Sequence, residues 1–404
     1  MTPSRTAPGR WKLDIRPEYP EWLERWWLET LTRRLGKPSV SATLLALESS
    51  IAQLGDVFTT GRVPGFRGYA GRNDLLAAYG VFHFPRTYLA VLHVLNELLG
   101  PGGWSPPARL RCTDLGCGLG AASAALATRL ERHNGFESLA IDGIDPALES
   151  LDLYGALFTE NADRWPRTTA RYAGGDMRRP GAVPAGTDLV LAAFSLNEAF
   201  HDATDTELLR WVTRTMDRLS ADGVLVLVEP ALQETSARLM RLRDALASGT
   251  AARVVAPCPH AHPCPLPAHG RRWCHDVRNW KPSEAVKLAN RHLFRSVSEI
   301  KFCFLALARP NGPEGLPAPG SLRLVTPIMP SHGRFQFSGC DPAGRLVHCD
   351  ILERTLNREL ELLLKNLEKG DWIVVDPPPP ATGAHKVHRV AKLDRLTGPF
   401  RNRG

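Results

Sequence analysis

The sequence predicts an α/β protein built around a mostly parallel sheet, with a helical N-terminal region and a small C-terminal extension. From Arg109 onward, buried strands alternate with helices, and strands separated by helices form parallel sheets with right-handed crossovers. A glycine-rich turn follows the first of these strands and opens the next helix, as in doubly wound α/β folds. A cysteine-rich segment then interrupts the pattern after residue 255.

Five segments follow from this pattern. Residues 1–103 form a helical region, because SATLLALESSIAQLGDVF and RTYLAVLHVLNELLG carry apolar residues at three- and four-residue spacing. Residues 104–255 contain the strands LRCTDLG, SLAIDGID, TDLVLAAF and GVLVLVEP with helices between them. Residues 256–296 form a cysteine-rich insertion, residues 297–376 add strands and a helix that complete the sheet, and residues 377–404 form a basic, flexible tail. Within the fourth segment, GRFQFSGCDPAGRLVHCDI predicts a hairpin that turns at DPAG.

Composition limits the class of protein. With 404 residues, 43% of them hydrophobic, the chain can bury a sizeable core. No run of about 18 apolar residues predicts a membrane span, and the N-terminus shows no apolar signal-peptide core. Eight cysteines are too few for a disulfide scaffold, but three fall within 17 residues. This clustering favours metal binding in a reducing compartment.

The net charge of +8 is concentrated in two places. Residues 253–301 hold nine Lys or Arg against three acids, and residues 381–404 hold six against one. Such local excess indicates a polyanionic partner such as RNA. The alternative is a solvated basic surface with a disordered tail.

The glycine-rich turn DLGCGLG spans residues 114–120. Gly116, Gly118 and Gly120 allow a sharp turn and a close approach of the backbone to a ligand. Asp145 ends the next strand, 25 residues after Gly120, and a carboxylate at that position can bind ribose hydroxyls.

The Asp-Leu-Gly-Cys-Gly opening resembles class I S-adenosylmethionine-dependent methyltransferases more than dehydrogenases. The resemblance implies the Rossmann-like methyltransferase form of the α/β fold. It implies that Asp114 and the glycines hold the methionine part of S-adenosylmethionine and that Asp145 holds the ribose. Asp176 and Met177, in GGDM after the third strand, would hold the adenine.

FSLNEAF follows the fourth strand, whose carboxyl end faces the ligand in this fold. Asn197 and Glu198 are therefore the candidate catalytic residues. The alternative is that Asn197 caps the next helix. The chain lacks the Asn-Pro-Pro-Tyr or Asp-Pro-Pro-Tyr motif that base-modifying enzymes of this fold often carry there. The sequence therefore leaves open whether the protein is an enzyme.

The cysteine-rich insertion presents Cys258, Cys264 and Cys274, separated by five and nine residues. These gaps are wider than the two to four residues usual in zinc sites. Proline follows Cys258 and Cys264 directly, as it follows a cluster cysteine in ferredoxin-type runs. Spacing alone does not choose between zinc and an iron–sulfur cluster. The candidates for a fourth ligand are His275, Cys303, Cys340 and Cys349.

The series APCPHAHPCPL and WCHDVR resembles the signature of the Rsm-type methyltransferase-like proteins of the small ribosomal subunit, which occur in bacteria and mitochondria. AAYGVFHFPRTYLAVLHVL and FSLNEAF resemble other segments of that family. The resemblance implies S-adenosylmethionine binding and a 4Fe-4S cluster held by Cys258, Cys264, Cys274 and Cys340. It also implies a role in maturing the small ribosomal subunit, with its rRNA as partner.

Three functions remain open at this point. The protein can be an rRNA methyltransferase, a non-catalytic assembly factor that uses cofactor and cluster to stabilise a docking surface, or a small-molecule methyltransferase with a structural zinc. The basic segments favour the first two. We expect no membrane partner, and we expect the bacterial cytoplasm or, in a eukaryote, the mitochondrial matrix.

Overall fold

The computed structural model describes residues 17–60, 72–100, 103–248, 251–269, 272–292, 297–313, 320–380 and 386–396. The N-terminal region is helical, as predicted. Its elements are α1 (Glu21–Arg34), α2 (Val40–Thr60), α3 (Asn73–Ala78), a π-helical turn (Tyr79–His83) and α4 (Phe84–Leu98). The continuous helical stretch Asn73–Leu98 is long and apolar enough to cross a membrane, but 89% of its most apolar window is buried inside the protein. It is packed as a core helix.

The first sheet contains the predicted alternation of strands and helices. Its strands are β1 (Arg109–Leu115), β2 (Ser138–Asp145), β3 (Thr168–Gly174), β4 (Thr187–Ala193), β5 (Leu219–Pro230), β6 (Arg253–Ala256), β7 (Asp276–Asn279) and β8 (Glu299–Ala308). The helices between them are α5 (Ala121–Glu131), α6 (Leu148–Glu160), α7 (Leu196–Ala199), α8 (Asp205–Asp217), α9 (Gln233–Ser248) and α10 (Glu284–His292).

The strand order of this sheet is β3-β2-β1-β4-β5-β8-β6. Strands β1 to β5 pair in parallel, whereas β8 runs antiparallel to both β5 and β6. This order, with one antiparallel strand beside β5, is the class I methyltransferase arrangement that the sequence predicts. It places the carboxyl ends of β1, β2 and β4 at one edge, where ligands of open α/β sheets bind.

The cysteine-rich insertion is not separate from this sheet, because β7 lies within it and pairs with β8. The loop from Pro257 to His275 therefore begins and ends on strands of the first sheet. Both of its ends are anchored by backbone hydrogen bonds.

The C-terminal strands differ from the prediction that they complete the first sheet. Only β8 does so; the later strands form a second sheet with the order β14-β12-β11-β9-β13-β15 and with β10 on β11. Its elements are β9 (Ser321–Leu324), β10 (Met329–Ser331), β11 (Arg334–Cys340), β12 (Leu346–Leu352), α11 (Arg358–Asn366), β13 (Trp372–Asp376), β14 (His388–Arg389) and β15 (Lys392–Arg395). The predicted hairpin is confirmed, since β11 and β12 pair antiparallel. The second sheet has its own apolar core, which includes Phe337, Ile351 and Ile373.

Residues 386–396, which the sequence assigns to a flexible tail, are instead part of this second sheet. Strand β15 pairs with β13 over four residue pairs, from Ile373–Arg395 to Asp376–Lys392. Leu393 and Val390 are buried in the core of the second sheet. The apolar residues among the basic ones therefore give this segment a place to pack. The remaining residues of the predicted tail, 381–385 and 397–404, lie outside the described residues.

Buried charges join the two sheets to α4. The Arg323 guanidinium on β9 donates to Glu97 Oε1 at 2.9 Å and to Asp276 Oδ1 at 2.6 Å. Asp276 also accepts from Arg278 Nη2 at 2.8 Å, and Arg278 in turn pairs with Asp371. Arg323 is 2% exposed. Opposite charges in this network satisfy each other, as burial of an ion requires.

Candidate functional site

The glycine loop lies at the carboxyl end of β1, where Gly116, Gly118 and Gly120 all have positive φ. At Gly116 the reason is close packing, since a Cβ there would lie 2.4 Å from Ser195 Cβ. At Gly118, with φ of +50°, a Cβ would meet no atom within 4 Å. The loop therefore packs against the segment after β4 on one side and leaves open space above Gly118.

Two of the predicted carboxylates support this loop. Asp145 Oδ2 accepts from Gly118 N and Oδ1 from Ala147 N, both at 2.9 Å. Because each carboxylate oxygen has two acceptor sites, both oxygens can still accept from a ligand. Asp114 Oδ2 accepts from Ser123 Oγ at 2.6 Å, while Asp114 Oδ1 is buried without a hydrogen bond to any residue that the structure describes. Burial raises the pKa of Asp145, and it raises that of Asp114 to about 6.

The turn after β4 is strained and held by a buried acid. Phe194 has a φ of +59°, a left-handed conformation that bulky residues rarely adopt and that clusters at functional sites. Glu229, at the end of β5 and 1% exposed, accepts from Leu196 N at 3.0 Å and Asn197 N at 3.1 Å. Burial raises the pKa of Glu229 to about 8, although the two amides lower it.

The candidate catalytic residues lie on this turn. Asn197 does not cap the next helix, because the cap of α8 is Thr204, whose side chain accepts from Glu207 N; the capping alternative is wrong. Asn197 Oδ1 is buried and accepts no hydrogen bond from the described residues. Glu198 is exposed, yet burial by surrounding protein and then the charge of Asp145 raise its pKa to about 7. A side chain both open to water and surrounded by protein lies in a concave part of the surface.

The other predicted cofactor residues flank the loop. Met177 is buried, and its Sδ would be 3.7 Å from a Cβ on Gly116. Asp176 is paired with Arg178, whose Nη2 donates to Asp176 Oδ2 at 2.7 Å. That ion pair lowers the pKa of Asp176. The Asp176 carboxylate is therefore already paired with a side chain of the protein, Arg178.

A second site is formed by cysteines. One cavity, with about 640 Å³ of space including its opening to solvent, is lined by Cys258, Cys264, Cys274 and Cys340. The first three come from the loop between β6 and β7, and the last comes from the end of β11 in the second sheet. We call this space the cysteine cavity. It brings together the four predicted ligands from segments that are far apart in sequence.

Three thiols of the cysteine cavity are disfavoured as isolated anions. Burial raises the pKa of Cys264 to about 12, and neighbouring cysteines add to the shift. Burial likewise raises the pKa of Cys274 to about 11 and that of Cys340 well above its usual value. Thiolates here would need the positive charge of a bound metal. Among the residues that the structure describes, no group of three or more His, Cys, Asp or Glu side chains is placed to hold a metal ion.

The two other candidate cysteines, Cys349 and Cys303, differ in their position relative to the cysteine cavity. Cys349 is buried in the core of the second sheet and is absent from the residues that line the cysteine cavity. Cys303 lines the cavity and is also packed in the apolar core of the first sheet. Its thiol lies 3.6 Å from the carbonyl oxygens of Glu229 and Pro230 and can donate to either. His275 also lines the cavity, with Lys369 Nζ 2.9 Å from its ring nitrogens.

Helix α9 runs between the glycine-loop site and the cysteine cavity. Near its N-terminal end, Arg238 donates to Phe200 O at 2.7 Å and Ala203 O at 2.5 Å, just after the turn that carries Asn197. Further along, Arg243 donates to the carbonyl oxygens of His260 and His262 in the cysteine loop. One helix thus holds a loop at each site.

Comparison with known proteins gives a family match that includes both the glycine-loop site and the cysteine cavity. The family described as mitochondrial small ribosomal subunit Rsm22 matches residues 74–351, a range that contains the glycine loop and the four cavity cysteines. The chain belongs to this family. The matched range begins at α3 and ends in β12 of the second sheet, so the Rsm22 family includes both the methyltransferase-like sheet and the strand that carries Cys340.

This Rsm22-family chain is similar to the human "Ribosome assembly protein METTL17, mitochondrial", with 28% identity over 213 residues. The match covers 48% of this chain and 42% of the human protein, so the chain spans less than half of that relative's length. TrmN from Thermus thermophilus has 13% identity and a TM-score of 0.33, covering 56% of this chain and 52% of TrmN. A Leishmania major S-adenosylmethionine-dependent methyltransferase has 14% identity and a TM-score of 0.33, covering 70% and 82% of the two chains.

Sequence reasoning missed three residues that shape these sites. Glu229 had a signal, since it is an acid directly after the apolar run of a predicted strand. Tyr79 had none in its apolar helix; burial chiefly raises its pKa to about 12, and the charges of Glu198 and Asp145 raise it further, which places the phenol near those carboxylates. Arg243 looks in the sequence like one more basic residue of an amphipathic helix, and only its burial distinguishes it.

Proposed function

We propose that this protein acts in assembly of the small ribosomal subunit, binding S-adenosylmethionine, a 4Fe-4S cluster and rRNA. The observation that carries the proposal is the convergence of Cys258, Cys264, Cys274 and Cys340 on one cavity beside a methyltransferase-like sheet, in a chain of the Rsm22 family. The family description and the human relative's name support a ribosomal role and, in a eukaryote, a mitochondrial location.

The glycine-loop site fits S-adenosylmethionine by charge and by space. The cofactor carries a sulfonium and an ammonium, and Asp114, Asp145 and Glu198 are carboxyls whose pKa values are all raised by burial. A bound cation would favour their ionised forms. Asp145 would hold the ribose, the glycines and Asp114 the methionine part, and Met177 with Asp176 the adenine. When bound, the cofactor supplies an electrophilic methyl group.

The cysteine cavity fits a cluster by its donor set. Four cysteine thiolates are the usual ligands of a 4Fe-4S cluster. Deprotonation of these buried thiols would be coupled to cluster binding, because the cluster supplies the positive charge that burial otherwise denies them. A single structural zinc is the alternative occupant, and the metal content decides between them.

Methyl transfer to rRNA is the second candidate function, and it is favoured by the turn after β4. Asn197 Oδ1 is a buried acceptor without a partner among the described residues, and Glu198 has a pKa of about 7. An acceptor amide could orient an amino or hydroxyl group of a nucleotide, and a carboxyl with this pKa could accept its proton near neutral pH. Enzymes of this kind can also act by positioning alone.

One described basic residue of the cysteine-rich segment is not available to the proposed rRNA surface. Of the basic residues in the cysteine-rich segment, Arg278 is 6% exposed and serves the buried network. Arg272, Lys281 and Arg291 are exposed. In the second sheet, Lys386 and Lys392 are exposed on and beside the edge strands. These positions are the proposed contacts with phosphates.

Sedimentation of the purified protein with small ribosomal subunits from its own source organism tests the proposal. We expect the protein to sediment with small subunits and with their precursor particles, and to be released as salt is raised because phosphate contacts release counterions. Large subunits at the same concentration provide the control. Equal sedimentation with both subunits, or with neither at low salt, would contradict an assembly role on the small subunit.

A further inference from the structure

Arg243 is a buried cation on the wall of the cysteine cavity. It lies on α9, is 2% exposed and lines the cavity together with Cys258 and Cys264. Its Nη1 donates to Asp244 Oδ1 at 2.6 Å and to the carbonyl oxygen of His262, and its Nη2 donates to the carbonyl oxygen of His260. The terminal nitrogens therefore hold the backbone between the first two cavity cysteines.

The Nε of the same side chain has no such partner. It is buried and donates to no residue that the structure describes. Leaving a buried donor unsatisfied costs about 1–3 kcal/mol, and more when the group is charged. Since Arg243 lines the cavity, the missing acceptor is expected from whatever fills it. With the proposed cluster in the cavity, that acceptor is sulfur.

We propose that Arg243 Nε donates an N–H···S hydrogen bond to the occupant of the cysteine cavity, either to a bridging sulfide of the cluster or to a ligating thiolate. This inference rests on the cluster of the proposed function. Arg243 is then a positioning residue with two roles: its Nη atoms order the ligand loop, and its Nε stabilises negative charge on the cluster sulfur.

The neighbouring Asp244 strengthens the assignment. Its Oδ1 and Oδ2 each lie 3.1 Å from Cys264 N, which donates to them. Asp244 therefore fixes the backbone of one cavity cysteine, while Arg243 fixes the carbonyls of the residues just before it. Both side chains start from one helix, so α9 holds the loop that carries Cys258 and Cys264.

A hydrogen bond to cluster sulfur has a measurable consequence. Reduction adds negative charge to the cluster, so a donor stabilises the reduced form more and raises the reduction potential. Removal of the donor should therefore make the potential more negative. It should also speed the release of iron, since removing partners around metal ligands typically lowers metal affinity 10- to 100-fold.

The test compares Arg243→Lys with the matched control Arg238→Lys in the full-length protein purified anaerobically. Lysine keeps the positive charge but lacks both the Nε donor and the pair of Nη donors of arginine. Arg238 sits five residues earlier on the same helix and binds the carbonyls of Phe200 and Ala203, outside the cysteine cavity. The measurements are the reduction potential of the cluster and the rate of iron release to a chelator.

We expect Arg243→Lys to show a more negative potential and roughly 10-fold faster iron release, with Arg238→Lys like the unmodified protein. An unchanged potential in iron-loaded Arg243→Lys would overturn the Arg243 assignment while leaving the cluster intact. Iron and sulfide missing from the unmodified protein would overturn both this inference and the cluster.

If Arg243→Lys does not load iron, a measurement on the unmodified protein tests the hydrogen bond instead. Arginine labelled with ¹⁵N at Nε should give a ¹⁵N coupling in pulsed EPR of the reduced cluster. Absence of that coupling would overturn the hydrogen bond.

Discussion

Gly118 and Gly135 share a left-handed backbone, with φ of +50° and +79°, and a Cβ on either would meet no atom within 4 Å. They differ in place: Gly118 lies in the loop between Asp114 and Asp145, and Gly135 lies in an exposed turn after α5. Substitutions at the two positions therefore share the backbone strain of a side chain at positive φ, but only the one at Gly118 would also block a ligand.

We expect Gly118→Arg to abolish binding of S-adenosylmethionine, measured by calorimetry, because the side chain fills the open space above the loop. Gly135→Arg introduces the same kind of backbone strain and should bind with the affinity of the unmodified protein. Equal affinity in Gly118→Arg would show that the cofactor does not lie over this loop.

Glu229 makes stability depend on pH. Its pKa is about 8 in the folded protein and about 4.3 in an unfolded chain. Between these values the folded state holds a proton that the unfolded state has released. The contribution to the free energy of unfolding is therefore full below the lower value and is lost as pH rises through about 8.

We expect urea unfolding to show that the unmodified protein loses more stability than Glu229→Gln between about pH 5 and about pH 9. Glu359→Gln, at an exposed position of α11, should follow the unmodified protein. Parallel pH profiles for Glu229→Gln and the unmodified protein would show that Glu229 ionises normally at the end of β5.

Among the elements, α4, β7 and β9 are joined by buried ions rather than by apolar packing alone. Glu97 on α4 accepts from Arg323 and also from Trp372 Nε1 at 3.1 Å. Removing one partner of such a pair leaves a buried charge less compensated, which typically costs about 3–5 kcal/mol.

We expect Glu97→Gln to lower the free energy of unfolding by about 3 kcal/mol, because Arg323 keeps Asp276 but loses its second carboxylate. The exposed pair Arg109–Glu137, with an N–O distance of 2.8 Å, provides the control, and Glu137→Gln should leave stability unchanged. A Glu97→Gln protein as stable as this control would mean that the network does not fix the second sheet.

The hairpin β11–β12 distinguishes two cysteines that lie nine residues apart. Cys340 lines the cysteine cavity, whereas Cys349 packs in the core of the second sheet. We expect Cys340→Ser to lose most of its iron after anaerobic purification and Cys349→Ser to keep it. Full iron in Cys340→Ser would remove this residue from the ligand set and would leave Cys303 or His275 as the fourth ligand.

The sequence predicts an element when the pattern that specifies it lies within a short stretch of chain. The helix α9 and the hairpin were predictable, because apolar periodicity and a DPAG turn are local patterns. The second sheet was not, since β9 pairs with β13, which follows it only after β10, β11, β12 and α11. Likewise, Arg323 looks like a surface residue in SLRL, because its partner Glu97 is 226 residues away.

The candidate sites follow the same rule. Asp114, Asp145 and the glycines could be assigned because strand, turn and helix follow one another in sequence. Cys340 was assigned through family resemblance, and its place in the cavity depends on how the second sheet packs on the first. The role of Arg243 depends on a contact between α9 and the cysteine loop that no spacing rule encodes.

For the whole molecule, the rRNA partner that we propose would contact the second sheet. We expect Lys386→Gln with Lys392→Gln to flatten the dependence of log affinity for small-subunit rRNA on log salt, by roughly 0.7–0.9 for each phosphate that the protein no longer neutralises. Both lysines are exposed. Lys37→Gln with Arg132→Gln, two exposed positions far from the basic segments in sequence, should leave the slope unchanged. A slope that is equally unchanged in the Lys386 and Lys392 variant would exclude this edge of the second sheet from the interface.

One iron–sulfur cluster would hold the methyltransferase-like sheet and the second sheet together, and everything proposed for the cysteine cavity depends on it. The iron, sulfide and zinc content of the anaerobically purified protein, together with its absorption spectrum, tests this directly. We expect about four irons and four sulfides per chain, with the charge-transfer absorption of a 4Fe-4S cluster. One zinc per chain without iron or sulfide would show instead that the cavity holds a structural metal ion.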